Sequence, residues 1–328
     1  MPSSYRFIAF ALCLLLTPVH GHAKDLRIAA SATVTTESFQ LPSPAFTPQS
    51  FHITVYLPSG YAKGNERYPV LYANDGQDMP AVGLTATLDR LYTRHAMAPL
   101  IVVAVDSLPD RLALYGLFDR ARRRSVVGGS RYGAIGTQAQ PYAQWFVHVL
   151  VPAIDARYRT VADPAHRAVL GWSLGALSAF GLGWNDPGVF GTVGAFSPSF
   201  WVAGDRSSPA AVQRSRLALR MVDRGPARPD LRIWLSVGTG EETADRDHDG
   251  VIDAVDDVED LVNGWRGPDG RRHRGLRQLG YGVLAGGPAD PPRSGAVALE
   301  VVPGARHEQR AWAAVLPDFL RWAFPPPR

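Results

Sequence analysis

The feature that most constrains this chain is an alternation of short apolar runs with longer helix-forming stretches. His52–Leu57 alternates apolar and polar side chains and stops at Pro58. Pro69–Tyr72, Leu100–Val105, Arg167–Leu170, Thr192–Phe196, Leu231–Val237 and Ala296–Val302 are compact runs of the kind buried on both faces of a sheet. Between them, Gln138–Tyr158 carries Tyr142, Phe146, Val149 and Ile154 near helical spacing. A small-residue stretch runs to Trp184, and Gln309–Phe324 is amphipathic before a triple proline. Strands alternating with helices predict an α/β fold, with a mostly parallel central sheet and helices on both faces. Such sheets bind ligands at the carboxyl ends of their strands. Residues 24–49, 206–230 and 266–294 are the least globular stretches, with no clear periodicity.

The 328 residues, 46% of them apolar, can bury one substantial core. At the N-terminus, Arg6 precedes the ten-residue apolar run Phe7–Leu16, a break at Thr17-Pro18, and small residues at Gly21 and Ala23. That is the pattern of a secretory signal over residues 1–23, with one domain over 24–328 and an exported, periplasmic or secreted product. The run is too short to span a bilayer as a helix, and no later run is free of charge, Pro or Gly. No membrane span is therefore expected after cleavage. The only cysteine, Cys13, lies inside the signal, so disulfides, a thiol nucleophile and thiolate metal sites are excluded from the mature chain. The net charge of +4 is no nucleic-acid footprint unless it clusters. Two clusters exist: Arg120, Arg122, Arg123 and Arg124, and Arg266, Arg271, Arg272, Arg274 and Arg277. Both read as solvated loops.

Gly171-Trp172-Ser173-Leu174-Gly175 stands between a predicted strand and a predicted helix, and is the only G-x-S-x-G in the chain. A serine on so sharp a turn needs small residues two places either side. The turn lifts its hydroxyl above the sheet edge and aims the N–H of Leu174 at a developing oxyanion. A serine nucleophile needs a base and an orienting acid, which follow it in that chain order as acid, then histidine. Only His248, His273 and His307 lie after Ser173. His307 falls between the last predicted strand and the last helix, the position for the base. The acid is expected after Leu231–Val237, where Glu241 is the first choice and Glu242 the second. Asn74-Asp75-Gly76-Gln77-Asp78 follows an earlier strand, and the N–H of Gln77 is the candidate second oxyanion donor.

Together these segments resemble the putative-esterase family of α/β-hydrolases, which includes esterase D-like and enterochelin esterase-like enzymes. The resemblance rests on Val55–Tyr61, Tyr68–Tyr72, Asp75-Gly76-Gln77, Pro152–Thr160, the elbow, Ser197-Pro198-Ser199-Phe200-Trp201, and His307-Glu308 with Trp312. It implies an α/β-hydrolase fold, with Ser173 as nucleophile, His307 as base and Glu241 as acid. It also implies a small-molecule ester substrate of small, carbohydrate or siderophore type, and no cofactor for the chemistry. Many members carry His before the Asp-Gly-Gln, where this chain has Asn74. An acyltransferase with the same three residues and a non-catalytic calcium-dependent binding protein are the alternatives.

A separate signal is Asp245-Arg246-Asp247-His248-Asp249-Gly250-Val251-Ile252-Asp253-Ala254-Val255-Asp256. Oxygen-bearing residues alternate and Gly250 takes the sharp turn, as in a twelve-residue calcium loop. The expected Ca2+ ligands are Asp245, Asp247, Asp249, the carbonyl of Val251, Asp253 and Asp256, the last standing where Glu is usual. Residues 241–260 hold ten acidic side chains and one basic one, which repel one another without a cation. The expected role is structural, bracing the loop that carries Glu241.

Overall fold

The computed structural model describes residues 34–285 and 294–326. The signal expected over residues 1–23 lies outside them. Nine strands form one sheet: β1 (Thr35–Pro42), β2 (Ser50–Leu57), β3 (Val70–Asn74), β4 (Ile101–Val105), β5 (Arg167–Trp172), β6 (Thr192–Phe196), β7 (Arg232–Gly238), β8 (Gly282–Ala285) and β9 (Ala296–Val302). Their spatial order is β1-β2-β4-β3-β5-β6-β7-β9-β8. The pairs from β4 across to β8 are parallel, while β1 and β2 run antiparallel to their neighbours. β3 to β6 are buried at every position, which is why they read as continuous apolar runs rather than alternating ones.

The helices of seven or more residues are α1 (Leu84–Thr93), α2 (Ala139–Trp145), α3 (Val151–Arg157), α4 (Leu174–Asn185), α5 (Pro209–Ser215), α6 (Leu217–Arg224), α7 (Asp253–Asn263) and α8 (Gln309–Ala323). Two apolar clusters cover the two faces of the sheet. One takes Tyr142 and Phe146, Leu177 and Phe180 of α4, and Val258 and Leu261 of α7. The other takes Leu88 and Leu91 of α1 and Trp312, Phe319 and Trp322 of α8. α2 and α3 form the single helix expected over 138–158, interrupted by a π turn at Phe146–Leu150. Pro152 has no N–H to give the carbonyl of His148, so the ladder widens there. α4 is buried at every residue from Leu174 to Trp184, which accounts for its uniform small-residue composition rather than an amphipathic stripe.

The described parts of the least globular stretches are more ordered than their sequence suggests. β1 falls within 24–49 and pairs with β2 along its whole length, but it is an edge strand with six of eight residues exposed. Only Phe39 and Leu41 alternate toward the core, so the strand carries little apolar pattern. α5 and α6 fall within 206–230, and two short strands at Trp265–Arg266 and Arg272–His273 make a hairpin at the start of 266–294. α7 begins at Asp253, within the stretch read as a loop. Among the described residues no helix is long and apolar enough to cross a membrane.

Candidate active site

Ser173 sits where β5 passes into α4. Its φ of 57° and ψ of −126° form a conformation that costs a non-glycine residue about 1–3 kcal/mol. The turn is over-determined. The Ser173 N–H donates to the Phe196 carbonyl at 3.1 Å, and the Ser173 carbonyl accepts from Ser199, Ala176 and Leu177. A Cβ on Gly171 would lie 2.2 Å from the Gly175 carbonyl oxygen, and one on Gly175 would lie 2.5 Å from Asp75 Oδ2. Both glycines are required by close approach. The Leu174 N–H opens α4 and has no acceptor within it. Ser173 Oγ lies 3.5 Å from Ser199 Oγ.

His307 follows β9 and precedes α8. Its Nδ1 is 2.8 Å from Glu241 Oε2. That contact makes Nδ1 the protonated nitrogen and leaves Nε2 as the basic one. The other carboxylate oxygen of Glu241 accepts from Ser197 Oγ at 2.6 Å and from the Gly238 N–H at 2.7 Å. Ser197 Oγ accepts in turn from Trp312 Nε1 at 2.9 Å. Trp312 stacks on Trp172 with centroids 5.2 Å apart and meets the His307 ring edge-on at 5.5 Å. The Glu241 side chain is only 4% exposed, so each of its oxygens is committed. Glu242, the second candidate acid, lines the same cleft without bonding to His307. Ser173 and His307 face that cleft together, and no hydrogen bond joins them in this structure. Ser197, Ser199 and Trp312 were carried in the sequence only by the Ser-Pro-Ser-Phe-Trp run and the C-terminal motif, without a role.

The loop after β3 is locked against the elbow. Asn74 donates to the Gly175 carbonyl at 2.9 Å and accepts from Tyr142 at 2.7 Å. The Asp75 N–H donates to Tyr115 Oη at 3.0 Å. The Asp75 carboxylate, fully buried, takes a two-pronged bond from Arg111 at 2.7 Å on each oxygen. Asp78 accepts from Trp172 Nε1 at 3.0 Å, and burial raises its carboxyl above the usual range. Gln77 sits at the exposed crest of this short helical turn, and its side-chain carbonyl accepts from the Ser107 N–H at 3.0 Å. Arg111 and the two tyrosines were not legible as partners of this loop, because they lie tens of residues away.

In the acidic loop, carboxylate oxygens of Asp245, Asp247 and Asp249 lie within 4.8 Å of one another. Gly250 takes the turn with a φ of 93°, and the Val251 N–H donates to Asp249. Asp253 departs from the expected ligand set. Its Oδ1 accepts from the Arg246 N–H at 2.8 Å and its Oδ2 pairs with the Arg246 guanidinium at 3.2 Å. An arginine inside the loop competes for that carboxylate, which the spacing alone did not reveal. Asp256 is 9% exposed and its Oδ2 has no hydrogen-bond partner. Burial, then the charges of Asp247, Asp249 and Asp260, push its carboxyl up to about 7.

The cleft is open and holds about 860 Å3. Its walls are the tip Ser130–Tyr132 of a small hairpin formed by Gly128–Ser130 and Gly133–Ile135, Trp201 with Arg206, and residues of the segment between Glu241 and Ala254. The arginine cluster at 120–124 does not reach it. Arg120 instead pairs with Asp186 and Arg122 with Asp119.

A serine raised on a strand-to-helix turn at the carboxyl edge of a parallel sheet is the architecture of the α/β-hydrolases, and this chain has that fold. Within that class it belongs to the family described as "Putative esterase", which it matches over residues 43–263. It is 29% identical over 170 residues to an endo-1,4-beta-xylanase/feruloyl esterase of Xylanibacter ruminicola, an alignment that covers 48% of this chain and 21% of that protein. An uncharacterized Bacillus subtilis protein is 23% identical over 148 residues, covering 45% of this chain and 56% of its own length. The chain thus matches between a fifth and just over half of these curated relatives. A solved ferulic acid esterase shares the fold at a TM-score of 0.62 and 18% identity, covering 89% of this chain and 98% of that one. An IroE-like serine hydrolase from Shewanella oneidensis does so at 0.59 and 18%, covering 87% and 79%.

Proposed function

We propose that the protein is an exported serine esterase that cleaves carboxylic esters through an acyl-enzyme, formed by one hydrolase domain that follows the N-terminal signal. The observation that carries this reading is the committed carboxylate of Glu241, one oxygen on His307 Nδ1 and the other anchored by Ser197 and Gly238. With Nδ1–H so held, Nε2 of His307 is free to take the proton of Ser173 Oγ as it attacks the ester carbonyl. Ser173 Oγ leaves Ser199 for this step, and the C–O bond formed places negative charge on the carbonyl oxygen. The N–H groups of Leu174 and Gln77 receive that charge. Collapse breaks the ester C–O bond, and His307 returns the proton to the departing alkoxide. Water, deprotonated by His307, then attacks the acyl-serine; the bond between the acyl carbon and Ser173 Oγ breaks, His307 returns the proton to Oγ, and the acid is released. The large open cleft suits an ester of a bulky alcohol, of carbohydrate or siderophore type, or of an aromatic acid.

A fluorophosphonate probe tests this directly. We expect it to modify Ser173, located by mass spectrometry, and Ser173→Ala to lower ester hydrolysis by about 10^4-fold or more without loss of folding. An unlabelled, correctly folded protein would favour a binding protein on this scaffold. Labelling with acyl transfer to an added alcohol in place of water would favour an acyltransferase.

A further inference from the structure

We propose that the loop Asp245–Asp256 is a calcium site whose ligands are the carboxylates of Asp245, Asp247, Asp249 and Asp256 and the main-chain carbonyl of Val251. The acidic charge of this region is divided in two. Asp257 and Asp260 pair with the fully buried Arg216 at 2.6 Å each, and Asp253 and Asp257 pair with Arg246. Two arginines thus neutralise the acids that face the protein. Asp245, Asp247, Asp249 and Asp256 form no ion pair among the described residues.

Asp256 gives the second, independent observation. Its side chain is more than nine-tenths buried, and its Oδ2 has no hydrogen-bond partner. It stands in the first turn of α7, at the end of the loop that carries Asp245, Asp247 and Asp249. Three carboxylates that converge in one loop, with a buried, unpartnered fourth at the loop's end, are a costly arrangement unless a cation completes it. The donors are all oxygens, set on alternate residues around the turn at Gly250, which suits the many-coordinate, flexible shell of Ca2+. Mg2+ needs a smaller, near-octahedral shell and holds its waters. Asp253 is excluded from the set by Arg246, and it serves instead to fasten α7 to the loop. The same segment lines the candidate active-site cleft through Ala244, Arg246, Asp253 and Ala254, so an ion here braces one wall of that cleft.

The test uses the full mature chain stripped with EDTA, then titrated with CaCl2 by calorimetry and followed by thermal unfolding. We expect one Ca2+ per chain, a Tm that rises with calcium, and a smaller rise with the same concentration of MgCl2. Asp256→Asn keeps the shape and removes the charge. It is expected to raise the Tm of the metal-free protein while weakening Ca2+ binding by at least about tenfold. Should that variant not fold, Asp247→Asn on the exposed loop is expected to show the same loss of affinity. No heat of binding and no Tm change in wild-type protein would overturn the proposal. Unchanged affinity in the Asp256→Asn protein, or in Asp247→Asn where that variant takes its place, would overturn the ligand set. An equal response to Mg2+ would overturn the choice of ion. None of these readouts depends on Ser173 reacting, so the calcium site and the esterase reading fail separately.

Discussion

Asp75 is the residue on which the loop facing the elbow turns. It has no exposed side-chain surface, and its only ion pair among the described residues is the two-pronged bond from Arg111. Removing one member of such a pair leaves the other charge without compensation. Asp75→Ala is therefore expected to cost about 3–5 kcal/mol in urea unfolding, with activity falling as the loop loosens. A loss below about 1 kcal/mol would show that Arg111 finds water instead. Glu300 on β9 makes the opposite case. Its Oε2 is buried without a partner, and burial, then the charge of Asp318, raises its carboxyl. An acid raised in the folded state costs nothing below its unfolded value, and the penalty grows as pH climbs through the folded one. Glu300→Gln should thus be more stable than wild type at pH 7, with the advantage vanishing below the ordinary glutamate range. Thermal unfolding across pH 3 to 8, about the span that covers both values, checks the slope. An advantage independent of pH would contradict it.

At the scale of elements, the β5–α4 turn is a packing solution before it is a chemical one. A methyl on Gly171 would meet the Gly175 carbonyl at 2.2 Å, and that oxygen belongs to backbone that cannot swing away. Gly171→Ala is expected to cost about 1–3 kcal/mol by overpacking. It should also lower kcat more than it raises KM, because Ser173 moves while the cleft walls do not. Equal stability and kcat to wild type would sink this account. The elements that could be read from the sequence are those with a strong local pattern. β3 to β6 are apolar throughout because both faces are covered, and α8 carries a clear stripe. β1 was not readable, since an edge strand needs no second apolar face. The short α5 and α6 owe their helicity to packing, of Ala211 in α5 and of Leu219 and Val222 in α6, rather than to length.

At the scale of the molecule, the cleft gathers side chains from segments far apart in the chain. Arg131 and Arg206 stand at its rim, exposed and without ion pairs among the described residues, each beside an aromatic ring. Exposed, uncompensated arginines act on a ligand through a screened field. The double variant Arg131→Ala/Arg206→Ala is expected to raise KM roughly tenfold for an ester bearing a carboxylate and to leave that of a neutral ester unchanged. The difference should shrink in about 1 M salt. Equal effects on both substrates would assign these arginines to packing alone.

By itself the sequence determined the alternation of strands and helices, the elbow at Ser173, and the three histidines that follow it, of which His307 alone falls between the last strand and the last helix. Each is written in neighbouring residues, where backbone geometry and apolar periodicity leave a local mark. The tertiary structure alone decided which carboxylate meets His307, across 66 residues, and that Trp312 reaches Ser197 across 115. It alone divided the acidic stretch into aspartates claimed by Arg216 and Arg246 and aspartates left facing one another. Those outcomes depend on which side chains the packed sheet brings together, and the sheet order places segments side by side that the chain keeps apart.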